Sequence, residues 1–170
     1  MNPVLSCMRK SMTPRIGLLG LALGLTLAVS LASAGGKETR PFHGGVTAVW
    51  DNIFDGLFAP PANFVGGGPV THMGDTTQSG TLILGLPDAN FLFPGYGSVT
   101  IVAANGDSVS FDYQGLLNGV TGEGIGTFTF TGGTGRFAGA TGHGTFDALI
   151  DLSFPSEQPM MVTLDGEINY

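Results

Sequence analysis

The sequence has 170 residues, 29 of them glycine and one cysteine, and a formal charge of −7. Beyond residue 34 three cations (Lys37, Arg40, Arg136) face all thirteen carboxylates, a charge of −10. Such a surface repels polyanions, which argues against nucleic acid and against anionic membranes as partners.

In chain order, Arg9, Lys10 and Arg15 precede an apolar run, Ile16 to Leu31, and then Ala32-Ser33-Ala34. A basic start, an apolar centre and a small-residue cleavage site describe a secretory signal peptide over 1–34, with Met12 as an alternative start. A retained anchor is the rival reading, but the run is short of the roughly 20 residues of a spanning helix, which favours cleavage, and no membrane span is expected after it. The expected location is secreted or periplasmic. Cys7 lies within that segment, so the remainder carries no disulfide or thiol chemistry.

Residues 35–41 read as a short mobile tail, and 42–170 as one domain. Its dominant signal is period-two alternation. Val46, Ala48 and Trp50 open the series. Residues 51–69 are less regular and read as a short strand or turn of helix, then a loop. Leu82, Leu84 and Leu86 share a face. Residues 87–95 read as a loop folded over one end. Val99, Ile101 and Ala103 precede Asn105-Gly106-Asp107, read as a type I′ hairpin turn. Val109, Phe111 and Tyr113 follow, then a turn at Asn118-Gly119. Phe128 and Phe130 precede a turn at Gly132-Gly133. Phe146, Ala148, Ile150, Leu152 and Phe154 share a face, and Pro155 to Pro159 mark another turn. Val162, Leu164, Ile168 and Tyr170 close the chain. About eight strands with short connections predict an all-β domain, a single closed antiparallel barrel; a β-sandwich is the alternative.

Within Thr131 to Phe146, TGGTGRFAGATGHGTF, six of sixteen residues are glycine. Gly132-Gly133-Thr134-Gly135-Arg136-Phe137, with Ala140 and Gly142 after it, resembles the motif of the plant dirigent proteins, and allene oxide cyclases look similar there. Thr71-His72-Met73-Gly74 and Ala104-Asn105-Gly106-Asp107, followed by GGTGRFAGATG, resemble a group of small exported bacterial proteins. The resemblance covers roughly residues 69–150 and implies an eight-stranded barrel of the allene oxide cyclase and dirigent type. The plant proteins bind an apolar substrate inside the barrel and steer its cyclisation or coupling. Their pocket residues lie outside the shared motif and are not carried over.

The candidate chemistry is sparse. His72 is a possible general base; Asp112, Glu123 and Tyr113 are possible acids or bases of a pocket. His43, His72 and His143 lack metal-ligand spacing, and Asp51, Asn52 and Asp55 do not match a calcium loop, so no metal and no cofactor is expected. Arg136 is either the orienter of an anionic ligand or a pin for the glycine-rich turn. No phosphate loop and no nucleophile elbow is present. Inward-facing Phe111, Phe128, Phe130, Phe146, Ile150 and Leu164 either fill the barrel or line a small pocket.

The primary expectation is an exported, non-catalytic module that binds a small apolar ligand or serves as a scaffold. The alternatives are a cyclase or isomerase using Tyr113, Asp112 or His72, and a structural component of the envelope or matrix. Assembly with further copies of the chain is left open.

Overall fold

Alternating apolar and polar residues cannot settle on a helix, but on a pleated strand they separate into two faces. The computed structural model describes residues 38–57 and 61–170, so the signal expected over 1–34 lies outside the described residues. The strands are β1 (Thr39–Trp50), β2 (Ala62–Val70), β3 (Gly74–Leu84), β4 (Leu92–Ala103), β5 (Ser108–Asn118), β6 (Glu123–Gly133), β7 (Thr141–Ile150) and β8 (Gln158–Asn169). Short 3-10 helices occupy Ile53–Leu57 and Gly135–Phe137.

Each strand pairs antiparallel with the next, and β1 pairs with β8 along its whole length, from Thr39↔Asn169 to Trp50↔Gln158. The sheet therefore closes, which decides the barrel over the sandwich. The apolar set of every strand points inward, into one core running from Phe42 to Ile168. Many outward positions carry Thr, Ser and acidic residues, and Val49, Val65, Leu116, Ile125, Leu149 and Met161 are exposed among them.

Phenylalanine and glycine alternate across the interior for a steric reason. Phe64 pairs with Gly80, Phe146 with Gly126, and Phe128 with Gly144. In each pair the ring lies where the glycine's Cβ would stand; at Gly126 that position is 2.6 Å from Phe146 Cε1. A ring flattened on a bare cross-strand backbone shields it and fills a barrel too narrow for two large side chains at one level.

Several local expectations are corrected. β1 begins at Thr39, inside the stretch read as a mobile tail, because Thr39 to Pro41 pair with β8. Residues 62–69 are strand β2, not loop. Gly66 and Gly67 sit where any Cβ would overlap the neighbouring strands, so these glycines allow close pairing rather than break it. Leu92 to Gly95 likewise belong to β4. Leu86, past the end of β3, is 78 % exposed, and Leu152 and Phe154 lie beyond β7. Asn105-Gly106 is not a type I′ turn: of the two, only Gly106 has positive φ, +88°. Four residues link β4 and β5, with the Gly106 N–H donating to the Ala103 carbonyl at 2.9 Å. Gly132 and Gly133 remain in β6, where Thr131 is an extra residue bulged opposite Ser110 and Phe111.

Candidate functional site

The connections fall into two groups at opposite ends. The turns β2–β3, β4–β5 and β6–β7 meet at the first end, and they carry the three motifs. Arg136 is their centre. Its guanidinium donates to the His72 carbonyl, stands 3.6 Å from Asp107 Oδ2, and covers the Phe137 ring. The Thr134 N–H donates to the Ser108 carbonyl at 2.8 Å, and the Ser108 N–H donates to Thr134 Oγ1 at 3.1 Å. His72, at φ +65°, places Nε2 2.8 Å from the Pro41 carbonyl. Beneath them Met73, Phe137 and Ala140 are buried, with Phe137 packed on Tyr170.

Arg136, Thr134 and His72 each bond another segment at this end, so the motif end is shut by packing and hydrogen bonds. Arg136→Met is expected to cost about 1–2 kcal/mol, since a charged bond to a carbonyl is lost from a half-exposed position. A urea titration checks this: an unmoved midpoint would mean that the clasp carries no stability.

At the opposite end, the first 3-10 helix covers the barrel. Ile53 is fully buried, and its N–H donates to Gln158 Oε1 at 3.1 Å. Gln158 Nε2 donates to the Phe154 carbonyl at 3.1 Å. One buried amide thus ties the helix to the β7–β8 loop. Glutamine is usually a surface residue, so its place at a proline-rich turn gave no hint of this role.

Between the ends lies a cavity of about 90 Å³. Val46, Trp50, Phe64, Leu82, Phe111, Tyr113, Phe146, Ile150, Met160 and Leu164 contribute to its wall, together with Gly95, Gly115 and Gly124. Gln78 presents the one side-chain amide. Of the expected lining residues, Phe111, Phe146, Ile150 and Leu164 are there. Phe128 and Phe130 instead pack with Phe42 beside the clasp, where their rings meet edge to face. Trp50, Gln78 and Met160 were not expected in the wall. The indole N–H of Trp50 donates to Met160 Sδ at 3.1 Å, a pairing with no counterpart in sequence spacing.

The proposed acids and bases are not brought together. Asp112 and Tyr113 are neighbours on β5 and therefore face opposite sides of the wall. Asp112 and Glu123 are exposed outside; His43, His72 and His143 are exposed as well. Tyr113 alone reaches the interior. Its hydroxyl donates to the Thr81 carbonyl at 2.8 Å, and burial pushes its pKa above the usual phenol range. Among the described residues, no carboxylate or histidine lines the cavity and no cluster has the makeup of a metal site. The arrangement can hold an apolar group and offer it one amide.

No family model and no curated protein matches the chain. Among solved structures it is similar to the pterocarpan synthase dirigent protein PsPTS1, with 13% identity, a TM-score of 0.49, and coverage of 79% of this chain and 97% of that one. It is also similar to the pterocarpan synthase dirigent protein GePTS1, with 14% identity, a TM-score of 0.47, and coverage of 79% and 87%. Both are dirigent proteins, the group that the Gly132 to Phe137 motif resembles.

Proposed function

We propose that the protein is an exported, non-catalytic barrel that takes up a small apolar ligand in its interior. The observation that carries this reading is the chemistry of the cavity wall: aromatic and aliphatic throughout, with Gln78 as the polar handle and no acid–base pair. Size limits the ligand. About 90 Å³ lies below the ~150 Å³ of an apolar cavity that binds benzene and well below the ~300 Å³ at which drug-sized pockets begin. The occupant is therefore a compact apolar group, or a larger one that displaces the helical cover held by Gln158. The basic, apolar and small-residue segments at 1–34 support export.

Trp50 is the lone tryptophan and stands in the cavity wall, so its emission reports directly on occupancy. Titration with xenon, an apolar probe small enough for this void, is expected to change Trp50 fluorescence saturably and to raise the melting temperature. Ala148→Leu, which fills the void from β7, should abolish both effects. Emission and melting temperature that stay fixed up to the solubility limit would favour the scaffold reading instead.

A further inference from the structure

We propose that the outer wall of the barrel, around Tyr96 on β4, binds a neutral oligosaccharide, at a site separate from the interior. The wall of a closed barrel is convex, yet here it is dented. Ladder pairing between β3 and β4 lapses from Gly80↔Val99 to Ile83↔Tyr96, where Thr81 and Ser98 meet instead through their hydroxyls at 3.4 Å. Gly97 and its cross-strand partner Tyr113 face inward at this lapse, and the Tyr113 hydroxyl donates to the Thr81 carbonyl at 2.8 Å from inside. The result is a groove floored by backbone and walled by Tyr96, Asp112, Gln114, Thr127 and Thr129.

The registers place these side chains in two rows. Tyr96, Gln114 and Thr127 are direct cross-strand neighbours, and so are Ser98, Asp112 and Thr129. Same-face residues stand about 6.8 Å apart along a strand and about 4.8 Å apart between strands, a grid comparable to one hexose ring. Tyr96 is 56 % exposed and offers an open aromatic face. The C–H face of a sugar ring is apolar and weakly positive, which suits the negative face of an aromatic ring.

Asp112 and Gln114 supply what the sugar rim needs. An ionised carboxylate accepts two hydroxyl donors, and an amide both donates and accepts. Among the described residues neither side chain has a hydrogen-bond or ion-pair partner, although hydroxyl pairs such as Thr100 with Ser110 occur on the adjacent wall. Charge selects the ligand class. Among the described residues, the cations Arg40 and Arg136 are both held at the clasp end, by Glu38 and Asp107. A carboxylate facing the groove with no cation beside it repels phosphates and uronic acids and leaves neutral sugars.

The test is calorimetric titration of the whole secreted chain with cellotetraose, maltohexaose and mannohexaose, with oligogalacturonate as the anionic control. Saturable binding of at least one neutral chain is expected. Tyr96→Ala and Asp112→Asn should each weaken it by about tenfold or more, while Tyr96→Phe, which keeps the ring, holds most of the affinity. An unchanged melting temperature of these surface variants separates lost binding from lost fold. The idea is overturned by no heat from any neutral chain at about 10 mM, by binding indifferent to Tyr96→Ala, or by tighter binding of oligogalacturonate. None of these results depends on whether xenon enters the interior.

Discussion

Phe128→Ala is expected to lower stability by about 3–5 kcal/mol, the range for removing a fully buried large ring. Phe128 is 1 % exposed and packs its ring on Phe111 at 4.8 Å, Phe130 at 5.4 Å and Phe42 at 6.0 Å. These residues sit on three strands that are hydrogen-bonded into a closed wall. A closed wall cannot move inward to fill the hole, so the void persists and adds to the one already present. Urea unfolding followed by Trp50 emission measures the effect as a midpoint shift at unchanged slope. A loss near 1 kcal/mol would mean that the barrel collapses around the site, and the account of a rigid wall would be wrong.

Gly144→Ala is expected to cost about 2–3 kcal/mol, although it adds a single methyl. Its Cβ would run into the Asp165 carbonyl of β8 on one side and the Phe128 ring on the other. The carbonyl belongs to a paired strand and the ring to the packed cluster, so neither can retreat. Gly45→Ala is the control. It lies on the outward face of β1 with nothing within 4 Å of the new methyl, and its effect is expected within about 0.5 kcal/mol of zero. Combining Gly144→Ala with Phe128→Leu should recover part of the loss, because the smaller side chain vacates the space the methyl needs. Equal effects at Gly144 and Gly45 would refute the claim that glycine is there to seat Phe128.

The strands were legible because period two is a strong signal; an apolar face on every strand fits a sandwich as well, and the β1–β8 pairing decides the barrel. The inward sets Val99, Ile101, Ala103 and Val109, Phe111 and Phe130, Leu164 and Ile168 stand where alternation puts them. What alternation could not give is where a strand ends. Leu86, Leu152 and Phe154 continue their patterns in sequence but lack a neighbouring strand to pair with. Residues 62–69 erred in the other direction. Three consecutive glycines normally signal a loop, yet β1 and β3 approach so closely that only glycine fits.

The candidate site was less legible. Phe111 and Phe146 line the cavity and Phe128 does not, a distinction of height along the barrel that depends on the shear between strands. Asp112 and Tyr113 looked like joint candidates because they are adjacent in sequence, and adjacency on a strand is what separates them. Gln78, Gln158 and Met160 have ordinary surroundings in sequence. Their roles arise from partners on other segments, such as Trp50 against Met160, 110 residues apart.

By itself the sequence determined the class of structure, because face-alternating strands and local turn residues act through near neighbours. It also determined the net negative charge. Only the tertiary structure brought THMG, ANGD and GGTGRF together into one clasp. The same holds for the interior, nearly filled and, among the described residues, without a carboxylate, and for the outer groove that gathers Tyr96, Asp112 and Gln114. Each of these rests on registers between strands. A register is fixed by the sum of many cross-strand contacts rather than by any residue's own preference.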